Sequence, residues 1–160
     1  MINPIKFYNI IKNTHSHTNS QLAPWCETKW VTLSSLFFLF PSYYAYNNKV
    51  YNLALLGLST SALSMNYWRD CKMGTRRNAD LLLSKITCLV GSYYYFKNSK
   101  TIKDYFIYMI ISSSCIGCYN KSNIQKKRWY IYHMGFHGFL TTGAFLCVKK
   151  ICNNKYLNNK

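Results

Sequence analysis

Formal charges along this chain collect in short clusters, and the apolar residues lie in the stretches between them. Residues 30–48, 50–68, 105–120 and 129–148 contain no Asp, Glu, Lys or Arg, and a fifth stretch, 81–96, is broken only by Lys85. An amphipathic helix resting on a soluble core shows a polar stripe with charges every three or four residues; these stretches do not. The hydrocarbon core of a bilayer is about 30 Å thick and takes roughly 20 helical residues, with about 17 tolerated. The pattern predicts an all-α fold, a polytopic membrane helix bundle with about five transmembrane helices. Three regions follow: 1–29 as an N-terminal interfacial or disordered segment, 30–148 as the transmembrane helical bundle, and 149–160 as a basic polar tail.

Individual stretches fit that reading. The first, "WVTLSSLFFLFPSYYAYN", contains Pro41, which packed neighbours accommodate inside a membrane. The second, "VYNLALLGLSTSALSMNYW", is rich in small residues that permit close helix approach. The third must bury Lys85 or let it snorkel to an interface. The last holds Gly135, Gly138 and Gly143 for tight packing. Ahead of the bundle, Ile2, Ile5, Phe7 and Ile10 beside Lys6 and Lys12 have the make-up of a short interfacial helix, with a disordered tail as the alternative. The linker "THSHTNSQLAP" carries His15 and His17, expected as a solvated segment rather than a metal site.

Composition sharpens this picture in three ways. Twenty Lys plus Arg against four acids give a formal net charge of +16, and 15 Tyr enrich the chain in the residue of membrane-interface belts. A basic excess often marks nucleic-acid binders, but clusters such as "KMGTRR" and "NKSNIQKKRW" lie between apolar stretches, as membrane loops facing anionic headgroups do. Membrane lipids are therefore the expected partners, with a homo-oligomer compatible, and nucleic acid is not expected. The seven cysteines, an odd number without a secretory signal, argue against a disulfide framework. Cys115 and Cys118 form a lone C-x-x-C, read as helix packing before redox or metal chemistry. With five spans, Lys6, Lys12, Lys29, Arg69, Lys72, Arg76, Arg77, Lys121, Lys126, Lys127 and Arg128 share one side, which the positive-inside rule puts in the cytoplasm.

Ionisable groups inside membrane helices are rare and are functional candidates by default. Ser64 ends the second stretch, Asp80 precedes the third, and His133 and His137 open the fifth. Counting spans places all four toward the same end of the bundle. The two histidines are four residues apart, one helical turn, so both imidazoles share a face. Such a pair suits a zinc ion as metal ligands, with Asp80 as base or orienter and Ser64 supporting an oxyanion. Against this stands a plainer reading, in which the histidines and Ser64 make helix–helix hydrogen bonds and Asp80 pairs with Arg76 or Arg77.

The texts "SMNYWRDCKMGTRRNAD" and "HMGFH" resemble the motifs of the alkaline ceramidase and CREST superfamily of membrane hydrolases, which includes the progestin and adipoQ receptors. The resemblance implies a zinc-dependent hydrolysis of lipid amide bonds. It would cast Ser64 and Asp80 as catalytic and His133 and His137 as ligands of the zinc cofactor. The chain departs from the group at Trp68, where the first metal-binding histidine belongs, and in having about five expected spans rather than seven. An indole donates a hydrogen bond and cannot coordinate zinc. Asp80, Cys71 or His15 would have to substitute, or the chain is an inactive relative. A non-catalytic membrane scaffold, receptor-like protein or assembly protein is the alternative from another class.

Overall fold

The computed structural model describes residues 22–158, all of it helix and short connections. The expected interfacial helix at Ile2–Ile10 and the histidines His15 and His17 lie outside the described residues. Five rods succeed one another: α1 (Trp25–Ser34) running through a 3-10 turn (Ser35–Phe38) into α2 (Leu39–Asn47), then α3 (Tyr51–Trp68), α4 (Thr75–Asn98), α5 (Ile102–Ile124) and α6 (Trp129–Asn158). The all-α class expected from the sequence is observed. Among the described residues no helix is long and apolar enough, taken by itself, to cross a membrane. Polar interruptions explain this: α3 alone carries Asn52, Ser59, Thr60, Ser61, Ser64 and Asn66.

The first rod is broken, for a local reason. Pro41 supplies no N–H, and its ring crowds the carbonyl of the preceding turn, so the helix cannot run through undistorted. Hydroxyls take up the carbonyls around the break. Ser34 and Ser35 both donate to the Val31 carbonyl at 2.8 and 3.0 Å, and Ser42 donates to that of Phe38 at 2.7 Å. Ser61 of α3 reaches across to the Ser35 carbonyl at 2.9 Å. At α5 the start is set by sequence: Asp104 accepts from the Lys100 and Thr101 N–H groups at 3.1 and 3.2 Å, leaving fewer orphan donors in the first turn. Gly74, at φ 138°, makes the turn into α4 with a backbone conformation that L side chains rarely adopt.

Two boundaries differ from the sequence reading. The first rod begins at Trp25, inside the segment expected to precede the bundle, and α6 continues to Asn158, through the segment expected as a polar tail. Charge marked the limits of apolar surface; it did not mark helix ends. Lys149 and Lys150 ride on a continuing helix, where Lys150 pairs with Asp104 and lies over the Tyr95 ring.

α6 is the central rod, packed against α1, α2, α4 and α5, while α3 lies along α2 and α4. Close approach is visible at two glycines. A Cβ on Gly57 would run into the Ser42 hydroxyl, and one on Gly135 would sit 3.2 Å from Cys118 Sγ. Buried apolar side chains such as Val31, Phe38, Tyr67, Trp68 and Tyr95 share the interior with many polar ones, and large apolar side chains also stand on the surface. The buried set includes Thr28, Ser34, Ser35, Ser42, Thr60, Ser61, Ser64, Asp80, Ser122 and His137, while Phe40 is 70%, Leu89 72% and Phe106 68% exposed.

Candidate functional site

Three rods bring the sequence-selected residues to one end of the bundle. Ser64 and Trp68 close the last turns of α3, Asp80 stands in the second turn of α4, and His133 and His137 occupy the first turns of α6. Trp68, Asp80, His133 and His137 line one cavity of about 1000 Å³, together with Glu27 and Arg77. Asp80 is buried, and the hydroxyl of Ser64 faces its carboxylate. The pairing of Asp80 with Arg76 weighed from sequence is not what the structure has: Arg76 instead reaches Asp70 at 3.7 Å, and Lys72 reaches it at 3.1 Å. Lys85, the charge inside the third stretch, faces this cavity too.

Aromatic packing builds the wall. Trp68 lies against Tyr67 with ring centroids 4.6 Å apart, against Trp129 at 5.5 Å, and edge-on to His133 at 4.7 Å. The ring of His133 then meets that of His137 edge-on at 5.0 Å. Trp129 donates its indole N–H to the Glu27 carboxylate, tying α6 to α1. Trp68 is 92% removed from solvent at 8% exposure, and its indole N–H has no hydrogen-bond partner among the described residues.

Each imidazole is held from behind by a serine that sequence reading did not select. Ser34 Oγ lies 2.8 Å from His137 Nδ1, and Ser122 Oγ lies 3.5 Å from His133 Nδ1. Ser34 is in α1 and Ser122 in α5, so the two histidines of α6 are braced by the rods on either side. A chain of hydroxyls continues the seam, with Ser35 Oγ 3.0 Å from Ser64 Oγ. Nothing in the sequence distinguishes these serines from the many others that fill helix contacts.

A tetrahedral zinc ion takes four donors, three from protein in catalytic sites. The cavity offers two adjacent imidazoles, and beside His133 the next ring is an indole. Cys71, considered from sequence as a replacement ligand, is buried in the cluster of Val31, Tyr67 and Trp68. Its thiol donates to the Tyr67 hydroxyl at 3.2 Å, and burial pushes its pKa up, which favours the neutral thiol over the thiolate a metal needs. Among the described residues no three His, Cys, Asp or Glu side chains are grouped to hold a metal ion. Asp80 and Cys71 line the same cavity, but neither is grouped with the two imidazoles as a metal site among the described residues.

A second, smaller cavity of about 250 Å³ lies among α4, α5 and α6, lined by Gly91, Ser112, Ile116, Leu140 and Gly143. Ser84 and Cys88 belong to the walls of both cavities, so the larger chamber adjoins the smaller crevice. No protein-family model, curated protein or solved structure matches this chain.

Proposed function

We propose that the chain is a multi-pass integral membrane protein that binds a lipid amphiphile without hydrolysing it, a receptor-like, non-catalytic relative of the alkaline ceramidase group. The exposed apolar surface carries this reading: large apolar side chains such as Phe40, Leu89 and Phe106 face outward, while small polar ones share the contacts between rods with buried apolar residues. In water an exposed apolar surface of this kind is an aggregation liability. In lipid it is the expected arrangement, because hydroxyls and small residues hold rods together where apolar burial gives no drive. Of the polar interruptions in α3, Thr60, Ser61 and Ser64 turn inward, while Asn52 is exposed. The head of an amphiphile enters the chamber at Asp80 and His133, and its chain follows past Ser84 and Cys88 into the crevice.

A second reading, zinc-dependent hydrolysis of a lipid amide, has one observation in its favour: Asp80, Ser64, His133 and His137 gather at one end of the bundle. Against it, among the described residues no third donor is grouped with the two imidazoles.

Alkaline carbonate washing of expressing membranes tests the first premise. The protein should stay in the pellet and be released by detergent; release by carbonate alone overturns the membrane assignment. Binding is tested on the purified protein with single-chain lipids brominated along the tail. Quenching of tryptophan fluorescence that saturates and disappears in Gly91→Trp, which fills the crevice, supports the amphiphile site. Unsaturable quenching rejects it. Near-stoichiometric zinc in the unmutated protein, lost in His133→Ala/His137→Ala, would favour the hydrolase.

A further inference from the structure

The serine contacts behind the histidines fix where each ring keeps its proton. Ser34 Oγ is 2.8 Å from the Val31 carbonyl oxygen and 2.8 Å from His137 Nδ1. A carbonyl oxygen only accepts, and a hydroxyl has one hydrogen. For both contacts to be hydrogen bonds, the Ser34 hydrogen goes to Val31 and the proton in the other contact comes from the imidazole. Ser122 repeats the arrangement, with Oγ 2.7 Å from the Tyr119 carbonyl oxygen and 3.5 Å from His133 Nδ1.

We infer that Ser34 and Ser122 are positioning residues that hold both imidazoles as Nδ1–H tautomers, so that each presents its Nε2 lone pair away from the serine brace. The lock is firm at His137, where the contact is short and both groups are buried, and looser at His133. Hydrogen bonding at one ring nitrogen decides the role of the other, as it does for oriented histidines generally. This deepens the proposed binding site, since it fixes what the rings offer a ligand as acceptors, yet it concerns the empty protein and stands apart from whether lipid binds.

The test uses the full chain, labelled with ¹⁵N-histidine and purified in detergent, at a pH where free imidazole is neutral. Two-bond ¹H–¹⁵N correlation spectra report the tautomer of each ring, assigned with His133→Gln and His137→Gln variants. His137 should appear as the Nδ1–H form. Ser34→Ala should reduce its preference about five- to tenfold, the equilibrium weight of one ordinary hydrogen bond. Ser34→Thr, which keeps the hydroxyl, should restore it, and Ser35→Ala should leave it unchanged. An Nε2–H form at His137 in the unmutated protein overturns the inference without any variant. So does a Ser34→Ala protein of unchanged helicity whose tautomer ratio has not moved. Either failure with saturable lipid binding intact removes the lock and leaves the binding reading standing.

Discussion

Replacing Trp68 by histidine converts the missing-ligand argument into a measurement. Trp68 is 8% exposed and packs on Tyr67, Trp129 and His133 at centroid distances of 4.6, 5.5 and 4.7 Å. Truncating such a residue to alanine destabilises by about 3–5 kcal/mol. Histidine keeps a smaller ring in the same place, so roughly half of that loss, about 2 kcal/mol, is expected for metal-free Trp68→His. Zinc should then reverse the deficit. A ligand present at 100 times its Kd stabilises by about 2.7 kcal/mol, enough to lift the variant back to the unmutated protein. For a chain of this size, 1 kcal/mol corresponds to roughly 2–4 °C in Tm. Trp68→His should thus melt about 4–8 °C low without metal and recover fully with zinc.

The assay pairs elemental analysis with thermal unfolding in detergent, after zinc loading and desalting. About one zinc per chain is expected in Trp68→His, substoichiometric zinc in the unmutated protein, and loss of the gain when His137→Ala is added. Two results would refute the reasoning. Stoichiometric zinc in the unmutated protein would mean that the indole does not stand in a ligand's place. Equal, low zinc in both proteins would mean that His133 and His137 are not disposed toward position 68 at all.

Three further outcomes follow from other parts of the bundle. Gly57→Ala should destabilise by about 1–3 kcal/mol, since its Cβ meets the Ser42 hydroxyl that holds the Phe38 carbonyl. Gly138→Ala, with open space around the added methyl, should stabilise by about 0.5–1 kcal/mol; urea or thermal melts that reverse this order would reject the packing assigned to α2 and α3. At the opposite end of the bundle, the Lys150 ammonium beside Asp104, aided by the Lys100 and Thr101 N–H groups, holds that carboxyl down at about 2 from an ordinary 3.8. Its folded pKa lies below its unfolded one, so the contribution is complete above about pH 4 and is lost as pH falls toward 2. The Tm gap between the unmutated protein and Asp104→Asn should be about 2–4 °C at pH 6 and close by pH 2; a gap constant over that range rules the pair out as its source.

How much of this was legible in the sequence depends on what kind of signal each feature leaves. Rods were legible because uncharged runs of near-uniform length are improbable unless something excludes charge, and all five appear. The placing of Ser64, Asp80, His133 and His137 toward one end was legible from direction alone, since successive rods alternate. Helix ends were not, because Lys149 and Lys150 carry charge at no cost to helix propensity, and Lys150 has an acceptor waiting in Asp104. The break at Ser35–Phe38 was half legible: Pro41 announces a defect, but where the distortion settles depends on which hydroxyls can take up the freed carbonyls. Ser34 and Ser122 were invisible. A serine becomes a brace only through the ring it faces, and that ring lies 103 residues away for Ser34.

The same contacts explain why an indole at position 68 leaves a stable end to the bundle rather than a defect. A three-histidine site without its metal would bury several imidazoles with acceptors and donors unmatched, each unmatched group costing about 1–3 kcal/mol. Here Ser34 and Ser122 engage one nitrogen of each histidine, and the bulk of Trp68 fills the space a third ligand would leave. One indole N–H is left without a partner among the described residues, a smaller penalty than an empty ligand cage. The polar residues therefore do structural work without a metal: they join α1 to α6, α5 to α6 and α1 to α3 by hydrogen bonds.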